Sequence, residues 1–128
     1  MKPILLDTHT TIWFFNGSPK LSEKAKQTIL KPGNQINVSI VSVWELAIKI
    51  NIGKLEFAGG VAGFVELIDS NGFQLLTINP KHLLELERLP LHHRDPFDRI
   101  LVATAISEGM DFITDDVNMP QYSLHCVW

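Results

Sequence analysis

Residues 96–116 read PFDRILVATAISEGMDFITDD, and this stretch decides the fold. Pro96 suits the first position of a helix and Gly109 suits the position just after its end, so the pattern predicts a helix over Pro96–Glu108. The body of that helix is almost entirely apolar, which indicates that it is buried. A short apolar strand, Asp111–Thr114, follows directly and ends at two aspartates. A buried helix that leads through a glycine into a buried strand is typical of an α/β domain.

The rest of the sequence repeats this alternation, so we predict an α/β fold with a central, mainly parallel sheet of about five strands. The predicted strands are Lys2–Leu6, Gln35–Ile40, Phe73–Ile78, Asp111–Thr114 and Ser123–Val127. The predicted helices are residues 8–15 (with Thr8 or Thr10 as the cap), Ser22–Leu30, Val41–Ile52, Phe64–Ser70, His82–Leu89 and Pro96–Glu108. No repeat or domain-sized linker interrupts the pattern, which predicts a single domain over residues 1–128.

Composition narrows the class of protein. Hydrophobic residues make up 45% and charged residues 20% of the chain, as in an ordinary globular protein. No run approaches the ~20 apolar residues of a membrane span, and the first apolar run is too short for a signal peptide. The single cysteine, Cys126, favours a reducing compartment, so we expect a cytoplasmic protein without membrane contact. The net charge of −3 gives no overall basic field, so nucleic acid would have to be held by a local patch or by bound cations.

Acidic side chains follow two of the predicted strands. Asp7 comes directly after Lys2–Leu6, and Asp115 and Asp116 come after Asp111–Thr114. Because ligands of an open parallel sheet bind beyond the carboxyl ends of its strands, these acids are candidates for a shared site. Each also has a structural explanation, since Asp7 could cap the next helix and an acidic turn would suit the other two.

Glu45 belongs to a narrow polar stripe, Ser42, Glu45 and Lys49, on an otherwise apolar helix. One interpretation is a solvated pair of Glu45 with Lys49, which would contribute only roughly a few tenths of a kcal/mol. The other is that the stripe faces a polar cleft.

Asp95 and Asp98 lie at the start of the helix Pro96–Glu108. Asp95 precedes a proline and suits the cap position, while Asp98 falls in the first turn, where the helix dipole favours a carboxylate. A buried helix also brings its first turn near the functional edge of the sheet, which makes Asp98 a site candidate. Carboxylates gathered within a few Å repel one another, and a proton or a cation relieves that repulsion. The hard oxygen ligands indicate Mg²⁺.

Four segments carry a family resemblance. They are Leu5-Leu6-Asp7-Thr8-His9, Ser42-Val43-Trp44-Glu45-Leu46, His93-Arg94-Asp95-Pro96-Phe97-Asp98-Arg99 and Ile113-Thr114-Asp115-Asp116. In order and spacing they resemble the motifs of PIN-domain proteins, and more narrowly of VapC-type toxins from type II toxin–antitoxin pairs. The resemblance extends from Lys2 to Trp128.

The resemblance implies a three-layer α/β/α fold and a metal-dependent endoribonuclease that hydrolyses RNA with Mg²⁺ or Mn²⁺. It assigns the catalytic positions to Asp7, Glu45, Asp98 and Asp116. It makes Asp7, Asp98 and Asp116 the main metal ligands, with Glu45 and Asp95 as additional candidates. It selects Asp116 over Asp115 for the fourth acid and gives Thr114 the task of orienting the cluster. It also implies RNA as substrate, a cognate antitoxin as partner and a homodimer.

Three alternatives remain open at this point. A haloacid-dehalogenase-like phosphatase normally has a second aspartate two residues after the first, where this chain has His9. A receiver domain needs an aspartate at the end of its third strand, and Phe73–Ile78 offers none. A catalytically silent PIN-like module that only binds protein would not need all four acids.

The other polar and aromatic residues near these motifs are interpreted as ordinary. Lys49, Arg94 and Arg99 could contact an RNA backbone, but each is taken as a surface charge. His92-His93 is interpreted as a loop pair and not as a zinc site, because no cysteine or spaced histidine completes a ligand set. His9 is likewise not counted as a ligand. Trp13-Phe14-Phe15 is interpreted as core, with a protein-contact surface as the alternative.

Overall fold

A sheet of parallel strands forms the centre of the computed structural model, which describes residues 2–128. Within those residues the sheet has five strands, β1 (Lys2–Leu6), β2 (Asn34–Ser39), β3 (Gln74–Leu76), β4 (Asp111–Ile113) and β5 (Cys126–Val127). Their order is β3-β2-β1-β4-β5, and each neighbouring pair is parallel. The direction in which strands are added reverses at β1, which lies between β2 and β4. In open α/β sheets, ligands bind in the crevice at such a reversal.

Helices cover both faces of the sheet. Residues 2–128 form six α-helices, α1 (Thr8–Asn16), α2 (Glu23–Leu30), α3 (Ile40–Asn51), α4 (Gly60–Ser70), α5 (Pro80–Glu87) and α6 (Pro96–Glu108). Ile4 and Leu6 of β1 pack into a core with side chains of α1 to α4, whereas Leu5 packs with Phe112 and α6 in a second core. Because successive strand side chains point to opposite faces, these two cores lie on opposite sides of the sheet. The predicted three-layer α/β/α fold is confirmed.

Helix α6 has the predicted bounds, because both of its ends are encoded locally. The Asp95 carboxylate accepts hydrogen bonds from the backbone N–H groups of Phe97 and Asp98 at the start of the helix. Gly109 ends the helix in the left-handed conformation, with φ of 67°. The side chains of residues 100–105 are all buried, as the apolar sequence predicted.

Helix α3 begins one residue earlier than predicted, at Ile40, and two further helices begin at least two residues earlier. Helix α4 starts at Gly60 and not at Phe64, because Val61 continues the apolar face of Phe64 and Ile68 into a first turn whose glycines had indicated a loop. A Cβ on Gly63 would lie 2.6 Å from the carbonyl oxygen of Ala58, so this glycine permits close backbone contact. Helix α5 starts at Pro80 and not at His82, because Asn79 caps it and the proline takes the first position.

None of the helices within residues 2–128 is both long enough and apolar enough to cross a membrane.

Candidate active site

A cleft of about 460 Å³ opens where the chain leaves β1 and β4. Its lining residues are Asp7, His9, Trp13, Asp98, Asp115, Asp116 and Val117. The sheet supplies Asp7 and Asp116 from the ends of neighbouring parallel strands, and α6 supplies Asp98 from its first turn. Three of the four predicted acids therefore line one cleft at the reversal point of the sheet.

Asp7 is both a helix cap and a cleft carboxylate. Its side chain is buried, and one oxygen, Oδ1, accepts a hydrogen bond of 3.2 Å from the Thr10 N–H. The other oxygen, Oδ2, accepts one of 2.6 Å from the Thr114 hydroxyl. The expectation that Thr8 or Thr10 caps α1 was wrong, because the Asp7 carboxylate occupies that position. Burial raises the pKa of the Asp7 carboxyl above its ordinary value.

Thr114 connects Asp7 with Asp116. While its hydroxyl donates to Asp7, its oxygen accepts a 3.1 Å hydrogen bond from the Asp116 N–H. Oδ1 of Asp116 accepts in turn from the Asn118 N–H at 2.8 Å, so the chain around Asp116 is fixed. The neighbouring Asp115 is exposed at the edge of the cleft. The threonine therefore orients two of the acids, as the resemblance implied.

Asp98, like Asp7, carries a negative charge that its surroundings in the cleft disfavour. Its side chain is 22% exposed. Burial, together with the charges of Asp95 and Asp7, raises the pKa of the Asp98 carboxyl to about 7. Without a counter-charge, this group therefore exists in both protonation states near neutral pH.

Glu45 differs from the other three acids. Its Oε2 lies 2.8 Å from Nζ of Lys49, but the glutamate side chain is buried, so the pair is not the solvated one considered from the sequence. Its Oε1 has no hydrogen-bond partner among residues 2–128. Glu45 does not line the cleft, yet its charge contributes to the raised pKa of Asp98. A hydrogen bond of 2.8 Å between the hydroxyls of Thr8 and Ser42 ties α1 to the helix that carries Glu45.

Asp95 lies outside the lining of the cleft. Its Oδ1 accepts both amide hydrogen bonds at the start of α6, as its place before Pro96 predicted. The carboxylate therefore fixes the helix from which Asp98 projects, and it adds negative charge beside Asp98.

His93 was missed by the sequence interpretation. It does lie in a loop, but its Nε2 is 2.8 Å from Oδ2 of Asp116 and 3.3 Å from Oδ2 of Asp98. The candidate ligand atoms of these three residues lie within 4.8 Å of one another. The sequence feature that could have identified His93 is its position two residues before the helix cap Asp95. There its Nδ1 accepts a hydrogen bond from the Asp95 N–H.

The basic residues near the motifs have distinct surroundings. Lys49 is paired with Glu45. The Arg99 guanidinium donates hydrogen bonds to the carbonyl oxygens of Leu89, Pro90 and His93, so it holds the loop before α6. Arg94 is exposed. The aromatic run at 13–15 is half-buried; its two phenylalanines pack against the core, whereas Trp13 lines the cleft.

The donor set fits a divalent cation. Carboxylate oxygens are hard ligands of the kind that Mg²⁺ and Mn²⁺ prefer. The raised pKa values of Asp7 and Asp98 reflect negative charge in the cleft that lacks sufficient compensation. A cation bound in the cleft would supply that compensation.

The fold and the cleft define a class of α/β proteins with a cleft of acidic residues at the reversal point of a parallel sheet. The model of the PIN domain family matches residues 4–123, and the chain belongs to this family. This membership removes the haloacid-dehalogenase and receiver alternatives.

Individual relatives agree with this assignment. The chain is 28% identical to Ribonuclease VapC22 of Mycobacterium tuberculosis over 117 residues, which cover 91% of this chain and 88% of that protein. The fold is similar to that of a chain in VapBC2 from Rickettsia felis bound to a promoter DNA fragment, with a TM-score of 0.73, 15% identity and coverage of 98% and 97%. It is also similar to a chain in DNA-bound VapBC from Salmonella typhimurium, with a TM-score of 0.68, 14% identity and coverage of 99% and 98%. The predicted resemblance to VapC-type proteins is confirmed.

Proposed function

We propose that this protein is a metal-dependent endoribonuclease and the toxin of a VapBC-type toxin–antitoxin pair, acting as a single PIN domain. The observation that carries the proposal is the convergence of Asp7, Asp98 and Asp116 on one cleft. The relative VapC22, which this chain matches over 88% of its length, is named a ribonuclease, and this supports RNA as the substrate.

Asp7, Asp98 and Asp116 would hold Mg²⁺ or Mn²⁺, and Glu45 is the candidate for a further contact. A divalent cation supplies positive charge that polarises a phosphodiester and makes water a better nucleophile. The protein's own contribution is to hold the acids in place before a cation arrives. Thr114 orients Asp7 and Asp116 through one hydroxyl, and Asp95 fixes the first turn of α6, where Asp98 lies.

The net charge of the protein is consistent with RNA binding that depends on a bound cation. With a net charge of −3, the chain has no overall attraction for a polyanion. A cation in the cleft would offset the repulsion between the acids and a phosphate. The exposed Arg94, in the loop just before α6, is the candidate for contact with the RNA backbone.

We propose a cognate antitoxin as partner, because the solved neighbours are VapBC assemblies. We also propose a homodimer. Large apolar side chains are exposed on α3 and α5, with Trp44 at 60%, Leu83 at 51% and Leu84 at 62%, and exposed apolar surface of this kind favours protein contact. Light scattering of the purified protein, alone and with its antitoxin, measures both associations. A strictly monomeric protein at micromolar concentration would contradict the homodimer.

The ribonuclease proposal is tested with purified protein and end-labelled RNA in Mg²⁺, in Mn²⁺ and in chelator. We expect cleavage that requires the cation and falls roughly 100-fold or more in Asp7→Asn and Asp116→Asn. Asp69→Asn is the matched control, because Asp69 is exposed on α4 and its replacement changes the charge of the protein by the same amount. Cleavage that survives both chelator and Asp7→Asn would contradict the proposal. Antitoxin binding without any cleavage would identify the silent module instead.

A further inference from the structure

Both ring nitrogens of His93 are engaged. Nδ1 accepts a 3.0 Å hydrogen bond from the backbone N–H of Asp95. Because a backbone N–H can only donate, Nδ1 must carry a lone pair, and the ring proton must lie on Nε2. Nε2 is therefore a donor, 2.8 Å from Oδ2 of Asp116 and 3.3 Å from Oδ2 of Asp98.

In this tautomer Nε2 of His93 cannot act as a metal ligand. A histidine binds a metal ion through the lone pair of a ring nitrogen, and a protonated Nε2 has none to offer. Its distance from the acids would otherwise suit a ligand. A carboxylate oxygen has two lone pairs, so one that accepts from Nε2 can still bind a cation with the other. The ring donates its one N–H to Asp116, and Oδ2 of Asp98, which comes from a different element, lies 3.3 Å from the same nitrogen.

The loop fixes the ring independently of the acids. The Arg99 guanidinium donates to the carbonyl oxygen of His93 at 3.2 Å and to that of Pro90 at 3.1 Å. One residue earlier, the N–H of His92 donates to the hydroxyl of the buried Tyr122 at 3.2 Å. The position of the imidazole is therefore set by backbone contacts, and the two carboxylates are placed relative to it.

We propose that His93 is a positioning residue for the cation site, which holds Asp116 beside Asp98 by donating Nε2–H to the Asp116 carboxylate and does not bind the cation itself. This inference rests on the proposed function. Without the donor, the Asp116 carboxylate loses the group that holds it beside Asp98, and the repulsion between the two acids is unopposed. Loss of such an outer-shell partner typically lowers metal affinity by roughly 10–100-fold.

The test is calorimetric titration of Mg²⁺ into the metal-free full-length protein. We expect His93→Ala to bind Mg²⁺ roughly 10–100-fold more weakly than wild type. His93→Gln should recover part of the loss, since its amide N–H can extend to the position of Nε2. His92→Ala is the matched control, because that exposed ring packs edge-on against Tyr122 and lies outside the acidic cluster. Unchanged or tighter binding by His93→Ala would overturn the proposal.

A second measurement uses wild-type protein and does not depend on any variant folding. Long-range ¹H–¹⁵N NMR of the imidazoles should show His93 protonated at Nε2 and unprotonated at Nδ1, both before and after saturation with Mg²⁺. An Nε2 that is unprotonated in the Mg²⁺-bound protein would overturn the non-ligating role, whatever the titrations show.

Asp7→Asn, titrated in parallel, separates the two proposals. If Asp7→Asn binds Mg²⁺ as wild type does, the proposed metal site itself is wrong. If Asp7→Asn loses binding while His93→Ala keeps it, only the role of His93 is wrong.

Discussion

Replacing Asp98 with asparagine should stabilise the metal-free protein at alkaline pH, although it removes a proposed metal ligand. Burial and the charges of Asp95 and Asp7 raise the pKa of Asp98 from 3.8 to about 7 in the folded state. In the unfolded chain the ordinary value of about 3.9 applies. Between about pH 4 and pH 7 the folded state holds more protons than the unfolded state, so the contribution of Asp98 to stability falls as pH rises. Above about pH 7 the Asp98 carboxyl is ionised in the folded state, and its full destabilisation of that state is present.

The size of the effect follows from the shift. About three pKa units correspond to roughly 4 kcal/mol, at about 1.36 kcal/mol per unit. This is an upper value, because the side chain is 22% exposed and solvent screens part of the charge. Asparagine also gives up the favourable interaction of a carboxylate with the helix dipole, about 0.3–1 kcal/mol. We therefore expect the metal-free Asp98→Asn protein to be about 1–3 kcal/mol more stable than wild type at pH 8.

The assay is denaturant unfolding in chelator at pH 8 and at pH 5, followed by the same measurement in Mg²⁺. The advantage of Asp98→Asn should narrow at pH 5, where the folded wild-type carboxyl keeps its proton. Added Mg²⁺ should stabilise wild type by mass action and should stabilise the variant much less. Asp69→Asn, on the exposed surface of α4, should have the stability of wild type in chelator and should be stabilised by Mg²⁺ as wild type is. The reasoning is refuted if Asp98→Asn is less stable than wild type at pH 8 in chelator, or if Mg²⁺ stabilises both proteins equally.

Two further predictions concern residues that orient the acids. Thr114→Val keeps the shape of the side chain but removes the hydroxyl between Asp7 and Asp116, so the free energy of unfolding should fall by about 1–3 kcal/mol and RNA cleavage should weaken. Denaturant unfolding and the cleavage assay check both effects, and wild-type stability and activity in the Thr114→Val protein would contradict this role. Asp95→Ala should be about 1 kcal/mol less stable than Asp95→Asn, because both variants remove the charge beside Asp98 and only asparagine keeps the α6 cap. Equal stability of the two variants in denaturant unfolding would contradict the role of the cap hydrogen bonds.

The sequence predicted those parts of the site that depend on local pattern. Asp7 and Asp116 follow apolar strands, and Asp98 lies in the first turn of a helix whose cap and end are both encoded in neighbouring residues. These placements need only the rule that parallel strands present their carboxyl ends at one edge.

The parts that were missed depend on contacts between distant segments. The direction of the His93 ring is set by Arg99, by the Asp95 N–H and by a loop that contacts Tyr122. The burial of the Glu45 side chain depends on how α3 packs, which helical spacing alone does not reveal. Periodicity can identify a polar stripe on a helix, but it cannot say whether that stripe meets solvent or the interior.

The register in which the buried strands β1 and β4 pair determines where the acidic side chains of the cleft lie. Leu6 pairs with Ile113, and one step further the Asp7 N–H donates to the Ile113 carbonyl oxygen at 3.1 Å. The Thr10 hydroxyl donates to the same carbonyl oxygen. A slip of one residue in a parallel pair moves every side chain to the opposite face, so it would take Asp7 away from Thr114. Loss-of-function variants should therefore arise among buried aliphatic residues of the two strands, far from solvent and with every acid still present. In this fold the packing of the hydrophobic core therefore sets the spacing between the acidic side chains of the cleft.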